Sequence, residues 1–216
     1  MRIKFVIRLI FGLLPPGRLK NLVLSLTGWK IHRKARIGST IFWKTENLSM
    51  GAGSSIGSLN VFRDIASVSM QDNASIGNLN WISASPWNDM ATTGAGTISL
   101  AASSVITNRH YIDISGGLII GYKSAITGVR STIVTHGVNP VSGNQELHPV
   151  SIGSNTLVGS NATIVPGSKI GSFLVFGMGC LISGERFDSY SLHLNSKSIP
   201  TKSLPRDSEF FKERNT

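Results

Sequence analysis

From residue 152 to residue 182 a large apolar side chain returns at every sixth position: Ile152, Val158, Ile164, Ile170, Phe176 and Ile182. Glycine follows four of them directly, at Gly153, Gly159, Gly171 and Gly177. A smaller set, Thr156, Ala162, Ser168 and Cys180, trails the series by four residues, with Leu174 as its one large member. A spacing of six matches neither the ~3.6 of a helix nor the ~2 of a strand. It matches a chain that turns a corner every six residues and sends one large and one small side chain inward each time. That is the pattern of a parallel β-helix built from hexapeptides.

The same rhythm can be followed upstream, with offsets. Met50 and Ile56 form a pair, Met70, Ile76 and Ile82 continue it, and Leu100, Ile106, Ile112 and Leu118 resume it. Ile120 and Ile126 shift the register by two, with Thr132 in the next slot. Two stretches break it. Residues 84–97 carry Pro86, Gly94 and Gly96 and read as a loop. Residues 136–149, HGVNPVSGNQELHP, contain two prolines, two glycines and no periodic apolar set. A long excursion from a rigid scaffold is where function concentrates. The sequence therefore divides into an N-terminal segment, 1–35, a coil, 36–184, and a polar extension, 185–216, with a short helix expected near Asp207 to Lys212.

Charge is unevenly placed. The formal net charge is +10, yet residues 1–44 hold ten basic side chains and no acidic one, while the remaining residues balance at eleven of each sign. Nucleic-acid binding would require basic residues interleaved with exposed aromatics on the folded body, and that pattern is absent. The single cysteine, Cys180, forms no internal disulfide, fits a reducing compartment and occupies a small inward slot of the repeat.

MRIKFVIRLIFGLL mixes apolar bulk with Arg2, Lys4 and Arg8 and is stopped by Pro15-Pro16. It is far short of the ~20 residues that span a bilayer, and no small-residue cleavage site follows it. A second helix is expected over 18–27, with Leu19, Leu22, Val23 and Leu26 on one face and Gly28 as its stop. Two short apolar helices with only positive charge suit an interfacial anchor on an anionic membrane through residues 1–28. They equally suit a cap over the end of the coil. The expected location is cytoplasmic, at the inner face of the membrane.

Residues 120–182 run IGYKSAITGVRSTIVTHGVNP, then the excursion, then HPVSIGSNTLVGSNATIVPGSKIGSFLVFGMGCLIS. This layout resembles the hexapeptide-repeat acyltransferases, in the branch that O-acetylates sugars and polysaccharides; the resemblance covers about residues 98–184. It implies a left-handed coil, a hand that the spacing alone does not give, and homotrimers with the site between neighbouring prisms. It also implies acetyl-CoA as acyl donor, no metal, and a small-molecule or lipid-linked sugar as acceptor.

On that resemblance His136 is the general base that takes the proton from the acceptor hydroxyl. Imidazole suits the task because its ordinary pKa lies near neutral pH. His110, in ITNRHYID one turn earlier, is a second site candidate, to orient His136 or bind the acceptor, with filling a polar corner of the coil as the alternative. For coenzyme A, Gly159 and Ser160 match a small pair beside the pantetheine arm. Gly177, Met178 and Gly179 match a usual G-A-G, and Ser183 matches a hydroxyl near the nucleotide end. Met178 replaces a small residue, Gly184 stands where a lysine is usual, and HLNSKSIPTKS replaces the usual closing segment. Those departures support an alternative, a non-catalytic scaffold or membrane-associated assembly protein. A zinc carbonic anhydrase on the same coil needs converging histidines, two of them close in sequence. Spacings of 26 and 12 residues among His110, His136 and His148 supply no such pair.

Overall fold

The structure, a computed structural model, describes residues 2–85, 94–139, 141, 143–184, 187–194 and 200–203. The chain winds into a left-handed parallel β-helix with three flat faces. Among the described residues the first face holds seven strands, from Lys30–Ile31 to Lys169–Ile170, and the third holds seven, from Ile41–Trp43 to Leu181–Ile182. The second holds nine, starting at Arg36–Ile37. Except for the last strand of the second face, each strand pairs in parallel with the equivalent strand of the next coil, so side chains of one type stack in columns.

All six members of the downstream hexad series are buried, and so are Thr156, Ala162, Ser168, Leu174 and Cys180. Here a coil takes eighteen residues: Leu157 pairs with Val175 and Val158 with Phe176. Gly159 shows why the corner demands glycine. A Cβ there would stand 2.9 Å from the carbonyl carbon of Gly177 in the next coil, so adjacent coils touch backbone to backbone.

Upstream the coil is longer. Ile56 pairs with Ile76, twenty residues on. The extra two residues lie on the first face, where each strand points two apolar side chains inward: Leu48 with Met50, Val68 with Met70, Ile98 with Leu100. That geometry produces the offsets in the sequence rhythm. Phe62 fills the slot after Ile56 and stacks on Phe42 at 5.3 Å. One slot differs from expectation. Ile133, not Thr132, points inward, because the preceding corner, with Gly128 and Arg130 at positive φ, holds one extra residue.

The N-terminal segment forms two helices, α1 (Arg2–Leu13) and α2 (Arg18–Leu26), close to the expected spans. Both lie over the first coil. The Thr40 amide donates to the Gly12 carbonyl at 2.8 Å, Phe5 meets Trp43 edge to face at 5.2 Å, and Leu24 is fully buried. Lys20 is buried and its ammonium donates to the carbonyls of Gly12, Leu14 and Gly38, each at 2.8 Å. Burial lowers its pKa to about 8, leaving it charged at neutral pH. No helix among the described residues is long and apolar enough to cross a membrane.

At the far end the second face runs past residue 184. Ser191–His193 adds a parallel strand, and Pro200–Ser203 returns antiparallel along it. His193 is buried there, stacked on Phe176 at 4.7 Å. The loop expected over 84–97 falls partly on residues 86–93, outside the described residues; the chain re-enters the first face at Thr97–Leu100. The helix expected near Asp207 to Lys212 also lies outside them.

Candidate functional site

The excursion between Thr135 and His148 is a β-hairpin rather than an irregular loop. His136–Val138 pairs antiparallel with Gln145–Leu147. Its base is closed by the His148 amide donating to the Thr135 carbonyl at 2.8 Å. Gly116, one coil below, makes room for this base, since a Cβ there would lie 2.8 Å from His148 N. The hairpin thus leaves the corner between the third and first faces at a fixed point, and His136 is its first residue.

His136 is held by Asp113, the last residue of the strand Tyr111–Asp113. The ring Nδ1 lies 2.8 Å from Asp113 Oδ1. A carboxylate only accepts, so Nδ1 carries the proton, and Nε2 of the neutral ring is left as a base. The Asp113 side chain is nearly buried and fully engaged. Its Oδ1 accepts from the Ser115 amide at 3.1 Å and lies 3.1 Å from the Thr135 hydroxyl, and its Oδ2 accepts from the Ser115 hydroxyl at 2.9 Å. Thr135 Oγ1 in turn accepts from the Gly116 amide at 2.8 Å. Every atom that fixes the carboxylate belongs to a buried corner, whereas the His136 side chain keeps 32 % of its surface open. An anchored carboxylate that orients a half-open imidazole is the arrangement of a general base.

His110 sits elsewhere. The residue is 2 % exposed, at the entry to the third face rather than its exit. The Ser131 amide donates to its Nδ1 at 3.1 Å, so the proton is on Nε2, which meets Thr107 Oγ1 at 3.0 Å. Both ring nitrogens are taken up inside the prism, and neither reaches the His136 corner. Of the readings open for His110, this geometry favours the filled polar corner. The ring is a rung in a polar ladder: the Asn80 amide donates to Asn60 Oδ1, His110 N to Asn80 Oδ1, Ser131 N to His110 Nδ1, and Ala162 N to Ser131 Oγ. Burial pushes its pKa down to about 4.

Of the six coenzyme candidates, five stand together. Gly159 and Ser160 lie directly below Gly177, Met178 and Gly179 on the corner between the second and third faces, tied by the Gly179 amide to the Ser160 carbonyl at 2.9 Å. Met178 projects outward, 75 % exposed. Ser183 follows the strand Leu181–Ile182 and stands on the other corner of the third face, the one that carries His136. Within one chain, then, five of the six lie across a face from His136. His148 is exposed on the hairpin, its Nε2 at 3.1 Å from Glu146 Oε2. Hydrogen bonds from Asn139 and then His148 pull the Glu146 pKa down. Among the described residues no three His, Cys, Asp or Glu side chains are grouped to hold one metal ion.

Asp113, Ser115 and Thr135 surround His136 in a way that the spacing did not reveal. A signal existed, because Asp113 is the only acidic residue between positions 90 and 145 and is followed by a Ser-Gly-Gly corner.

The fold and this corner together define a parallel β-helix that carries an Asp–His pair at the root of a hairpin. No family model matches the chain, and no curated protein sequence matches it. Solved structures similar to it include two of AntD, an N-acyltransferase from Bacillus cereus. One, a variant with dTDP and coenzyme A, shares 13 % identity over 82 % of this chain and 83 % of its own, with a TM-score of 0.48. The other, with dTDP and 3-hydroxybutyryl-CoA, shares 13 % over 85 % and 87 %, with a TM-score of 0.42.

Proposed function

We propose that this chain is an acetyl-CoA-dependent O-acetyltransferase acting on a sugar hydroxyl of a cell-surface polysaccharide or its lipid-linked precursor. The observation that carries the reading is the Asp113–His136 pair at 2.8 Å. His136 Nε2 accepts the proton as the acceptor oxygen attacks the thioester carbonyl, and Asp113 stabilises the imidazolium that forms. Collapse of the tetrahedral adduct breaks the carbon–sulfur bond, and the departing thiolate of coenzyme A takes the proton back from His136. Such catalysis contributes roughly 10²–10⁴-fold.

The acyl donor lies along the corner of Gly159, Ser160, Gly177, Met178 and Gly179, and Ser183 stands on the corner of the base. A homotrimer reconciles the two, because it sets the coenzyme corner of one prism beside the His136 corner of the next. The carboxylate network supports this reading over a non-catalytic scaffold, because a buried carboxylate here aims a half-open imidazole outward. The outward Met178 does not fill the corner.

The test is a screen of sugars and lipid-linked sugars with labelled acetyl-CoA, run beside calorimetry with coenzyme A. Wild type transfers label to one acceptor class and binds the coenzyme. An absence of coenzyme binding together with equal transfer by wild type and His136→Ala would overturn the proposal.

A further inference from the structure

The two N-terminal helices close the coil with one side only. Along α1, Ile3, Val6, Ile10 and Leu13 are all exposed, at helical steps of three, four and three. Along α2, Leu19, Leu22 and Leu26 repeat that spacing, and Leu26 is 77 % exposed. Phe5, Phe11, Gly12 and Leu24 already serve the packing against the prism. The outward stripes are therefore surplus to the fold, and a soluble surface seldom leaves two such stripes uncovered.

Beside them lies a basic cleft. Arg18, Asn21, Arg33 and Lys34 line two adjoining hollows of about 810 and 630 Å³, with Arg36 in the larger and Leu22 in the smaller. Leu22 belongs to the apolar stripe, so stripe and cleft share an edge. Arg18, Arg33, Lys34 and Arg36 are exposed and form no ion pair with a described residue. By contrast Arg8 and Lys20 are consumed internally, Arg8 by Thr27 and the Thr45 carbonyl and Lys20 by its three carbonyls. Charge from the helices alone is thus smaller than the sequence suggests, and the first coil supplies most of what the cleft presents.

From this arrangement we infer that the N-terminal end is a docking surface for an anionic phospholipid bilayer. The leucine and isoleucine stripes enter the acyl boundary while headgroup phosphates sit among Arg18, Arg33, Lys34 and Arg36. Charge complementarity selects this occupant, since Arg18, Arg33, Lys34 and Arg36 line the cleft and positions 1–44 hold no acidic residue, which matches a negative surface. A second copy of the same face would set like charges against each other. Docking sets the N-terminal end of the prism against the bilayer, with the His136 corner several coils away from it. The inference stands independently of the transfer chemistry.

Co-sedimentation with vesicles tests it. The full chain pellets with vesicles of equal parts phosphatidylglycerol and phosphatidylcholine and stays in the supernatant with phosphatidylcholine alone. Arg18→Gln/Arg33→Gln/Lys34→Gln weakens binding by on the order of a hundredfold. Ile10→Ser/Leu22→Ser weakens it at least roughly tenfold. All of these side chains are exposed, so the thermal midpoint stays at the wild-type value, which separates lost docking from lost folding. The inference is overturned if wild type ignores the anionic vesicles, or if both variants pellet as wild type does. It is equally overturned if light scattering shows a dimer that Ile10→Ser/Leu22→Ser dissolves while no vesicle binding occurs.

Discussion

His110 and His136 stand one coil apart at opposite ends of the third face, and in each the protein engages Nδ1. The difference lies in what fixes it. At His110 a backbone amide donates to Nδ1 and the far nitrogen is spent on Thr107. At His136 a carboxylate accepts from Nδ1 and the far nitrogen is left to the open side. The same residue type is therefore a structural rung in one corner and a half-open ring held by a carboxylate in the other. Its surroundings, not its presence in a repeat, decide which.

The sharpest way to break this contrast is to remove each ring in turn. His136→Ala lowers the transfer rate by roughly 10²–10⁴-fold with little change in thermal midpoint. His110→Asn keeps the rate within about twofold, because an amide oxygen fills the Nδ1 role as Asn60 and Asn80 do in the coils below. Rates measured with saturating acetyl-CoA decide it; equal losses in the two variants would dissolve the distinction.

A smaller effect is expected at the carboxylate. Asp113→Asn leaves the shape of the corner but removes the charge opposite the imidazolium. That is worth about 1.5–3 kcal/mol, or roughly ten- to a hundredfold in rate, and the loss falls on kcat rather than on the KM for coenzyme A. Circular dichroism serves as the folding control.

The mildest signature is in pH. Burial holds His110 at about 4 against an ordinary 6.5, so between those values the unfolded chain carries a proton that the folded chain does not. This contribution to stability is complete above pH 6.5 and drains away as pH falls toward 4. Thermal midpoints measured across that window drop for wild type. The drop is smaller for His110→Asn, and identical slopes would show that the ring is not the group responsible.

The downstream coils were legible because each corner uses six residues and one large side chain, so Ile152 through Ile182 announce their own burial. Upstream, two inward residues per strand on the first face stretch the coil to twenty. Leu48, Val68 and Ile98 consequently fell outside the simple count, and Ile133 fell outside it because the corner before it holds one extra residue. His136 was legible as a candidate through its position before the excursion. Its partner was not, since Asp113 reaches His136 across a coil whose length is set by an added corner residue. Nor did charge counting show that Lys20 points inward to three carbonyls. Those facts belong to stacking, which a linear rhythm does not encode.

Parallel strands laid one upon another have no natural limit, for each rim offers unmet amides and carbonyls to whatever strand arrives next. Here α1 and α2 lie across the first rim, and at the other end of the second face Pro200–Ser203 runs against the grain. These terminal pieces give a filament-like architecture a finite length, so trimming either one invites end-to-end growth into threads.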